Sequence, residues 1–237
     1  MCVIAVAIKS ELPLNVLRAC ESSNPHGGGC SWIEDGMVRF VKNVRATKIA
    51  ELLAGKPLPH VVHFRIATVG GVQPRRCHPF TISGVRNDLL EGVAKAALYH
   101  NGHCSGWEFY ASMTGVAQGL PSDASDSMAI ARMVAVRGEG ILQELVNRNA
   151  GKFAVMHKNG EVKLYGRFEE HDGAMFSNLH WKHGLSCNPL HNTSGHFKGQ
   201  GSKHGGQHFV SGKHHGVHQP SLPAYKTWWE RELGETD

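Results

Sequence analysis

The order of apolar and polar positions along the chain predicts strands and helices that come in separate blocks. Helices are indicated by apolar positions three and four apart, and they cover residues 12–21, 47–54, 127–137 and 139–149. Strands are indicated by short β-branched or alternating runs, and they cover residues 2–9, 30–33, 37–44, 60–69, 94–100, 152–157, 161–166 and 174–178. This grouping favours sheets packed face to face with helices outside over a doubly wound parallel sheet.

Local signals predict several boundaries of these elements. Glycine-containing turns at residues 34–36 and 158–160 join two pairs of strands as hairpins. Thr47 is expected to cap one helix, and Ser125 with Asp126 to cap another. The run Asn24–Gly29 contains three consecutive glycines, which predicts a loop without regular structure.

The character of the sequence changes after about Lys182, which predicts two regions, a folded domain at 1–182 and a tail at 183–237. Residues 183–218 hold eight of the 17 histidines, and residues 173–229 contain no acidic residue. Such a segment cannot bury enough apolar surface to offset its ordering entropy, so disorder is expected. A metal-binding tract is the alternative, but the histidines lack a repeated ligand spacing. Residues 223–233, with Trp228 and Trp229, are predicted to form a short anchor helix.

Composition excludes some classes of protein. The chain has 237 residues of which 41% are hydrophobic, enough for one domain with a core. We expect no membrane association, because no apolar run reaches the roughly 18 residues of a spanning helix, and the N-terminus lacks the features of a signal peptide. The net charge of +5 is not concentrated in a stripe, so no nucleic-acid partner is expected. The six cysteines form no C-x-x-C pair, which favours free thiols in the cytoplasm.

Cys2 is the first candidate for chemistry. If Met1 is removed, Cys2 carries a free α-amine with a pKa of about 7.7–8.0 beside a thiol with a pKa of about 8.5. Such an amine can take the proton of its own side chain and so activate it as a nucleophile. The alternative is a small residue that begins a buried strand.

Three further segments contain candidate site residues. Arg65 lies in a predicted apolar strand, where a guanidinium needs an anionic partner, either a substrate carboxylate or an internal salt bridge. Asn101 and Gly102 can direct a side-chain amide and a backbone N–H at one oxyanion, or they form a turn. Asp126 begins a predicted helix, where it binds a substrate ammonium or caps the helix. Together these residues describe a site for an amino acid with a side-chain amide.

The order and spacing of these segments resemble the class II glutamine amidotransferases, a family of N-terminal-nucleophile hydrolases. The resemblance covers residues 2–178 and depends on five short segments, Met1-Cys2-Val3, His63–Gly70, His78-Pro79-Phe80, His100–Gly102 and Ser125–Ser127. It departs from the family at His26, where many members have an acid, and at Val69, where many have histidine. Both departures lie near the family's glutamine pocket and bear on which substrate is bound.

The resemblance implies an α+β fold, a four-layer αββα sandwich of two antiparallel sheets between helical layers. It implies hydrolysis of the glutamine side-chain amide through a thioester on Cys2, with release of ammonia. Arg65, assisted by Thr68, is then expected to bind the α-carboxylate, Asp126 the α-amine, and Asn101 with Gly102 the oxyanion. No metal and no organic cofactor are expected.

The polar tail is too poor in apolar residues to form the synthase domain that usually consumes the ammonia. The acceptor is therefore expected to be a partner synthase on another chain, or there is none. Two alternatives remain open. One is a stand-alone amidase that acts on γ-glutamyl compounds. The other is a catalytically silent scaffold or interaction protein with the same fold, which would bind its partners through the tail.

Overall fold

The computed structural model describes residues 2–67, 71–83 and 87–185. The chain divides into two units, Met1–Asn188 and Pro189–Asp237, and all described residues belong to the first. The predicted tail from residue 186 onward, with its anchor helix at 223–233, lies outside the described residues. Residues 183 and 184, which the prediction assigns to the start of the tail, end a 3₁₀ turn at His180–Gly184.

The described residues form eleven strands and five α-helices. The strands are β1 (Val3–Ala7), β2 (Gly28–Glu34), β3 (Met37–Val44), β4 (His60–Phe64), β5 (Phe80–Thr81), β6 (Glu91–Ala94), β7 (Ala96–Asn101), β8 (Lys152–His157), β9 (Val162–Tyr165), β10 (Glu169–His171) and β11 (Ala174–Phe176). The helices are α1 (Leu14–Ser23), α2 (Ala46–Leu53), α3 (Trp107–Met113), α4 (Asp126–Arg137) and α5 (Gly140–Asn147). Further 3₁₀ turns lie at Pro74–Arg76 and Ala117–Gly119.

The strands form two antiparallel sheets, so the predicted mixed α+β class is confirmed. The first sheet has seven strands in the order β10-β11-β1-β4-β2-β3-β6. The second has four strands in the order β5-β7-β8-β9. Every pair of neighbouring strands is antiparallel. None of the helices in the described part of the chain has the length and apolar character needed to cross a membrane.

Alternation along β1 shows how the first sheet is covered on both faces. Val3 and Ala5 belong to an apolar cluster that includes Leu17 of α1 and Ile49 of α2. Ile4 and Val6 point the other way, into a second cluster that includes Tyr99 of β7. Because successive side chains of a strand point to opposite faces, one face of this sheet packs on helices and the other on the second sheet.

Some element boundaries differ from the prediction, each for a local reason. Helix α2 begins at Ala46, and the preceding Arg45 makes no side-chain capping bond, so the predicted cap at Thr47 is wrong. Gly28 and Gly29 open β2 instead of lying in a loop. A Cβ atom on Gly28 would lie 2.7 Å from the Val44 carbonyl oxygen. Crowding between neighbouring strands therefore requires glycine here, and the run of glycines is not a sign of irregular structure.

The remaining differences concern short elements. Strand β4 ends at Phe64, whereas the prediction extended it to residue 69. The prediction also omitted β5, β6, β10 and α3, of which the longest has seven residues. Elements this short do not complete enough periods for a hydrophobic pattern to distinguish them from loops.

Two histidines, His63 and His78, are buried against each other beside the inter-sheet layer. Their ring centroids lie 4.1 Å apart, and both rings lie within 6.5 Å of the Tyr99 ring. None of the four ring nitrogens makes a hydrogen bond with a described residue. Burial lowers the pKa of His63 to about 3, an effect that the nearby backbone of His100 only partly offsets. Burial also lowers the pKa of His78 well below its usual range.

These rings make the stability of the domain depend on pH. They are neutral in the folded protein, whereas in the unfolded chain a histidine takes up a proton near pH 6.5. Their contribution to stability is therefore complete above pH 6.5 and is lost as the pH falls below it. For His63, with its pKa of about 3, the loss between pH 7 and pH 5 is about 2 kcal/mol. We expect urea unfolding to show this loss. The substitution His63→Phe should reduce the difference in free energy of unfolding between pH 7 and pH 5 by about 2 kcal/mol. The exposed His180→Asn is the control, and an unchanged pH dependence in His63→Phe would contradict the assignment.

Candidate active site

One cavity of about 620 Å³ lies where β1 begins and where β4 and β7 end. Its lining includes residues from both sheets, from the start of α4 and from the segments around them. Among its lining residues are Cys2, Arg65, Asn101, Gly102 and Asp126. The structure thus brings together five of the six residues that the sequence singled out. The sixth, Thr68, lies outside the described residues, as does Val69.

Strand alternation explains why three of these side chains share one space. Cys2 lies two positions before Ile4, and Asn101 lies two positions after Tyr99. Side chains two positions apart on a strand point to the same face, and both Ile4 and Tyr99 lie in the cluster between the sheets. Arg65 follows β4 but continues its pairing, since its N–H donates to the Gly27 carbonyl at 2.9 Å. The cavity is therefore the polar end of the layer between the two sheets.

Cys2 is held from both its backbone and its side chain. Its carbonyl accepts a hydrogen bond from Asn178 Nδ2 at 2.7 Å. Its Sγ lies 3.4 Å from the Ile66 N–H, which donates to it, and 3.6 Å from the Ile66 carbonyl oxygen. Burial raises the pKa of the Cys2 thiol, while the Ile66 amide and the charge of Arg65 act in the opposite direction. The thiol is thus a poor nucleophile unless a base takes its proton.

Arg65 is a buried cation with part of its guanidinium unused. Nη2 donates to the Gly71 carbonyl at 3.1 Å, whereas Nη1 is buried and has no hydrogen-bond partner among the described residues. No carboxylate in the described ranges forms an ion pair with it, so the internal salt bridge considered from the sequence is not found there. Since a buried charge normally requires an anionic partner, Arg65 is suited to bind a ligand carboxylate.

His26 has a structural role in the segment that contains Arg65. Its Nδ1 accepts a hydrogen bond from the Ala67 N–H at 2.8 Å. The backbone N–H of His26 donates to the Arg65 carbonyl at 2.9 Å. His26 therefore fixes the backbone on both sides of Ile66, and with it the amide that faces Cys2.

Asn101, the last residue of β7, is oriented by Ser177. Asn101 Nδ2 donates to Ser177 Oγ at 2.8 Å, and the same oxygen accepts the Ile4 N–H at 2.9 Å. Ser177 is fully buried and lies just beyond β11. An amide NH₂ carries two donor hydrogens, so one N–H of Asn101 remains for another acceptor. Ser177 thus links β1 and β7 at the wall of the cavity.

Gly102 is a glycine because its backbone lies against another backbone. A Cβ atom on Gly102 would lie 2.5 Å from Gly151 Cα and 2.9 Å from His100 Nε2, and still closer to the Ala150 carbonyl oxygen. The two strands β7 and β8 are joined here by the pair Asn101 and Lys152. Any larger residue at position 102 would push the end of β7 away from the start of β8.

Asp126 is the first residue of α4, and Ser125 is its N-cap, as predicted for Ser125. Ser125 Oγ accepts the Met128 N–H at 3.3 Å. The Asp126 carboxylate accepts the N–H of Ser127 at 2.7 Å and the N–H of Cys104 at 3.0 Å. It is therefore anchored by two backbone amides. A carboxylate offers about four acceptor positions, so Asp126 can still accept hydrogen bonds from an ammonium group in the cavity.

Other cavity residues were not predicted as site residues, and three of them are the cations Arg76, Lys152 and Arg167. Arg76 is paired with Asp123, since its Nη2 donates to the Asp123 carbonyl at 2.6 Å. Lys152 Nζ donates to the Ser177 carbonyl at 2.5 Å. Arg167 is exposed at the edge of the cavity. No local pattern distinguishes these residues from ordinary surface cations, so sequence reasoning had no signal by which to select them. Within the described residues, no group of three or more metal-ligating side chains is arranged to hold an ion.

Comparison with known proteins finds similarity at the level of structure alone. No family model and no curated protein sequence matches the chain. Among solved structures it is similar to the glutamine phosphoribosylpyrophosphate (PRPP) amidotransferase from B. subtilis, with a TM-score of 0.45 and 19% identity. It is also similar to a structure described as the allosteric regulatory enzyme of purine biosynthesis, with a TM-score of 0.47 and 18% identity. Each comparison covers 74% of this chain and 41% of the other chain, so this chain spans about two fifths of their length.

The close approach at Gly102 can be tested without any assay of activity. We expect Gly102→Ala to lower the free energy of unfolding by about 1–3 kcal/mol, because the added methyl group meets backbone atoms that can move aside only if β7 separates from β8. Gly140→Ala is the matched control, since a Cβ atom there meets nothing within 4 Å, and it is expected to be neutral or to stabilise α5 by up to about 1 kcal/mol. Urea unfolding of both variants measures the difference. Equal stability of the two variants would show that β7 and β8 tolerate separation at this end.

Proposed function

We propose that the protein hydrolyses the side-chain amide of glutamine through a thioester on Cys2 and releases ammonia. The observation that carries the proposal is that Cys2, Arg65, Asn101, Gly102 and Asp126 line one cavity. They come from four separate parts of the sequence. Together they offer a nucleophile, a carboxylate-binding cation, an oxyanion donor pair and an ammonium-binding anion.

Substrate binding would use the two ends of the amino acid. The free Nη1 of Arg65 suits the α-carboxylate, because a guanidinium binds a carboxylate in a planar, directional way. The Asp126 carboxylate, held by two backbone amides, suits the α-amine. Thr68 is proposed to assist at the carboxylate. Holding both ends fixes the direction of the side chain and so places its amide carbon against Cys2.

The chemical step requires that Cys2 be the first residue of the mature chain. Its α-amine then takes the thiol proton, and the thiolate attacks the amide carbon of the substrate. Asn101 and the Gly102 N–H would stabilise the negative charge that develops on the amide oxygen. The amine returns the proton to the leaving group, ammonia departs, and water hydrolyses the thioester to free the enzyme. Because burial raises the pKa of the Cys2 thiol, the thiol needs a nearby base to take its proton, and the α-amine of the same residue is such a base.

The packing of the domain also supports the proposal. Helices α1 and α2 cover the outer face of the first sheet, and α4 packs against β5 and β7 of the second. We infer from this the four-layer αββα sandwich of the N-terminal-nucleophile hydrolases. All five cysteines of the described residues are unpaired thiols, which supports a reducing compartment such as the cytoplasm. A partner synthase that consumes the ammonia remains part of the proposal.

Substitution of the nucleophile and of the carboxylate-binding cation tests the proposal directly. We expect Cys2→Ala to abolish glutamine-dependent ammonia release, and Arg65→Ala to raise KM far more than Arg65→Lys, which keeps the charge but not the planar fork. Cys20→Ala, which removes a buried thiol from α1, is the matched control and should keep its kcat. Intact-mass measurement must first establish that Cys2 is the N-terminal residue. A mature, folded protein that releases no ammonia and binds no glutamine would favour the scaffold alternative.

Ser177 offers a second test, directed at the oxyanion donor. We expect Ser177→Ala to lower kcat about tenfold while KM changes little, because the Asn101 amide loses the hydroxyl that fixes its direction. Asn101→Ala, which removes the donor itself, should lower kcat by about 10²–10³. Ser177→Thr keeps the hydroxyl and should restore most of the rate. If Ser177→Ala instead raised KM at constant kcat, its role would lie in substrate binding and not in positioning Asn101.

A further inference from the structure

Two histidines, His100 and His103, flank the carboxylate that is proposed to bind the α-amine of the substrate. Their Nδ1 atoms lie 3.9 Å and 3.7 Å from Asp126 Oδ2, respectively. All three residues line the cavity. Histidine is the side chain whose charge ordinarily changes between pH 5 and pH 8. The charge beside the proposed amine-binding carboxylate therefore depends on the state of these two rings.

His100 is fixed in its neutral form, because both of its ring nitrogens are already used. Nε2 donates to the Ala150 carbonyl at 2.8 Å, and Nδ1 accepts the Ser127 hydroxyl at 2.9 Å. Burial lowers the pKa of His100, and the charge of Asp126 offsets this effect only in part. A proton on Nδ1 would also break the hydrogen bond from Ser127. His100 therefore contributes no positive charge beside Asp126.

His103, two residues beyond the end of β7, has a different environment. Its side chain is 56% exposed, whereas that of Asp126 is 17% exposed. It also lines another cavity of about 400 Å³, together with Tyr110 of α3 and with Arg148, which follows α5. Neither tyrosine nor arginine ordinarily changes charge between pH 5 and pH 8. Because water reaches the ring of His103, either of its charge states is accommodated without repacking of the core.

The other ionisable groups around Asp126 keep one charge state in this range. Arg65 lines the same cavity, and its charge interacts with that of Asp126. Cys104 donates its backbone N–H to Asp126, and burial raises the pKa of its thiol to about 11. The carboxylate of Glu108 in α3 acts on the same thiol in the same direction. His103 is left as the side chain beside Asp126 whose ordinary titration falls between pH 5 and pH 8.

We propose that His103 competes with the α-ammonium group of the substrate for the Asp126 carboxylate. This inference rests on the proposed function and adds a specificity-determining residue to the same site. A protonated ring forms an ion pair with Asp126 Oδ2 and occupies an acceptor position that the ammonium group requires. A neutral ring leaves the carboxylate its full charge. The site therefore selects a charged α-amine at neutral pH and loses this selectivity as the pH falls.

Binding of glutamine and of glutaramate, which is glutamine without its α-amine, tests the competition. By calorimetry on the full-length Cys2→Ala protein, we expect glutamine to bind about fivefold more weakly at pH 5.5 than at pH 7.5, since an exposed ion pair is worth up to about a factor of five. Glutaramate binding should change little. Adding His103→Gln should remove the loss for glutamine. Adding His103→Lys should weaken glutamine binding at both pH values, because a lysine stays charged across this range. His180→Gln is the matched control, because it removes an exposed histidine outside the lining of the cavity.

Turnover by the mature wild-type protein separates this inference from the proposed function. The α-amine of residue 2 is present in every variant, so its titration cancels when variants are compared. A loss of glutamine binding at pH 5.5 that survives His103→Gln, or that glutaramate shares, would overturn the competition, while ammonia release from glutamine would leave the proposed function standing. A loss that His103→Gln removes, in a protein whose wild type releases no ammonia, would support the competition and reject the hydrolysis. Absence of glutamine binding at both pH values would reject both.

Discussion

The face-to-face packing of two antiparallel sheets is the constraint on which the candidate site depends. Side chains that alternate along a strand must lie either between the sheets or on the outer face. Ile4 and Tyr99 fill the layer between the sheets, and two positions beyond them in the same parity stand Cys2 and Asn101. A shift of register by one residue would turn these side chains out of the cavity. The packing of the core therefore also positions the Cys2 and Asn101 side chains in the cavity.

The same layer changes from apolar to polar along its length. Its interior holds aliphatic and aromatic side chains, and near the cavity it holds His63, His78 and Arg65, which are buried and not fully hydrogen-bonded within the described residues. Polar groups in this state lower the stability of the fold. A ligand carboxylate at Arg65 would offset part of that cost. Substrate binding would therefore stabilise the folded protein at this end of the layer.

Local sequence patterns predicted most of the longer regular elements, because those elements depend on near neighbours. The hairpin across Asn159-Gly160 and the capping of α4 by Ser125 follow from turn and cap chemistry within a few residues. Cys2, Arg65, Asn101 and Asp126 were selected by short motifs, each of which had an ordinary structural interpretation. Their joint order along the chain, and not any single motif, made them candidates.

The supporting residues could not be predicted, because their partners are distant in sequence. Ser177 accepts a hydrogen bond from Ile4, 173 positions away, and Asn178 donates to Cys2, 176 positions away. Both follow a strand of three residues, too short to show a period. Lys152 and Arg167 look like surface cations until the pairing of β8 with β9 brings them together at the cavity. Tertiary contacts of this kind have no local signature.

His100 connects the two halves of the proposed site. Its Nε2 lies 2.8 Å from the Ala150 carbonyl oxygen, which can only accept, so Nε2 carries the hydrogen. Burial lowers the pKa of His100, so the ring is neutral and its Nδ1 accepts the Ser127 hydroxyl at 2.9 Å. Ser127 follows Asp126, and Ala150 packs over Gly102. One ring thus ties the start of α4, which presents the Asp126 carboxylate, to the end of β7, which presents the proposed oxyanion donors Asn101 and Gly102. A displacement of either element would move the other with it, so the distance between the proposed binding and reacting ends of the substrate is preserved.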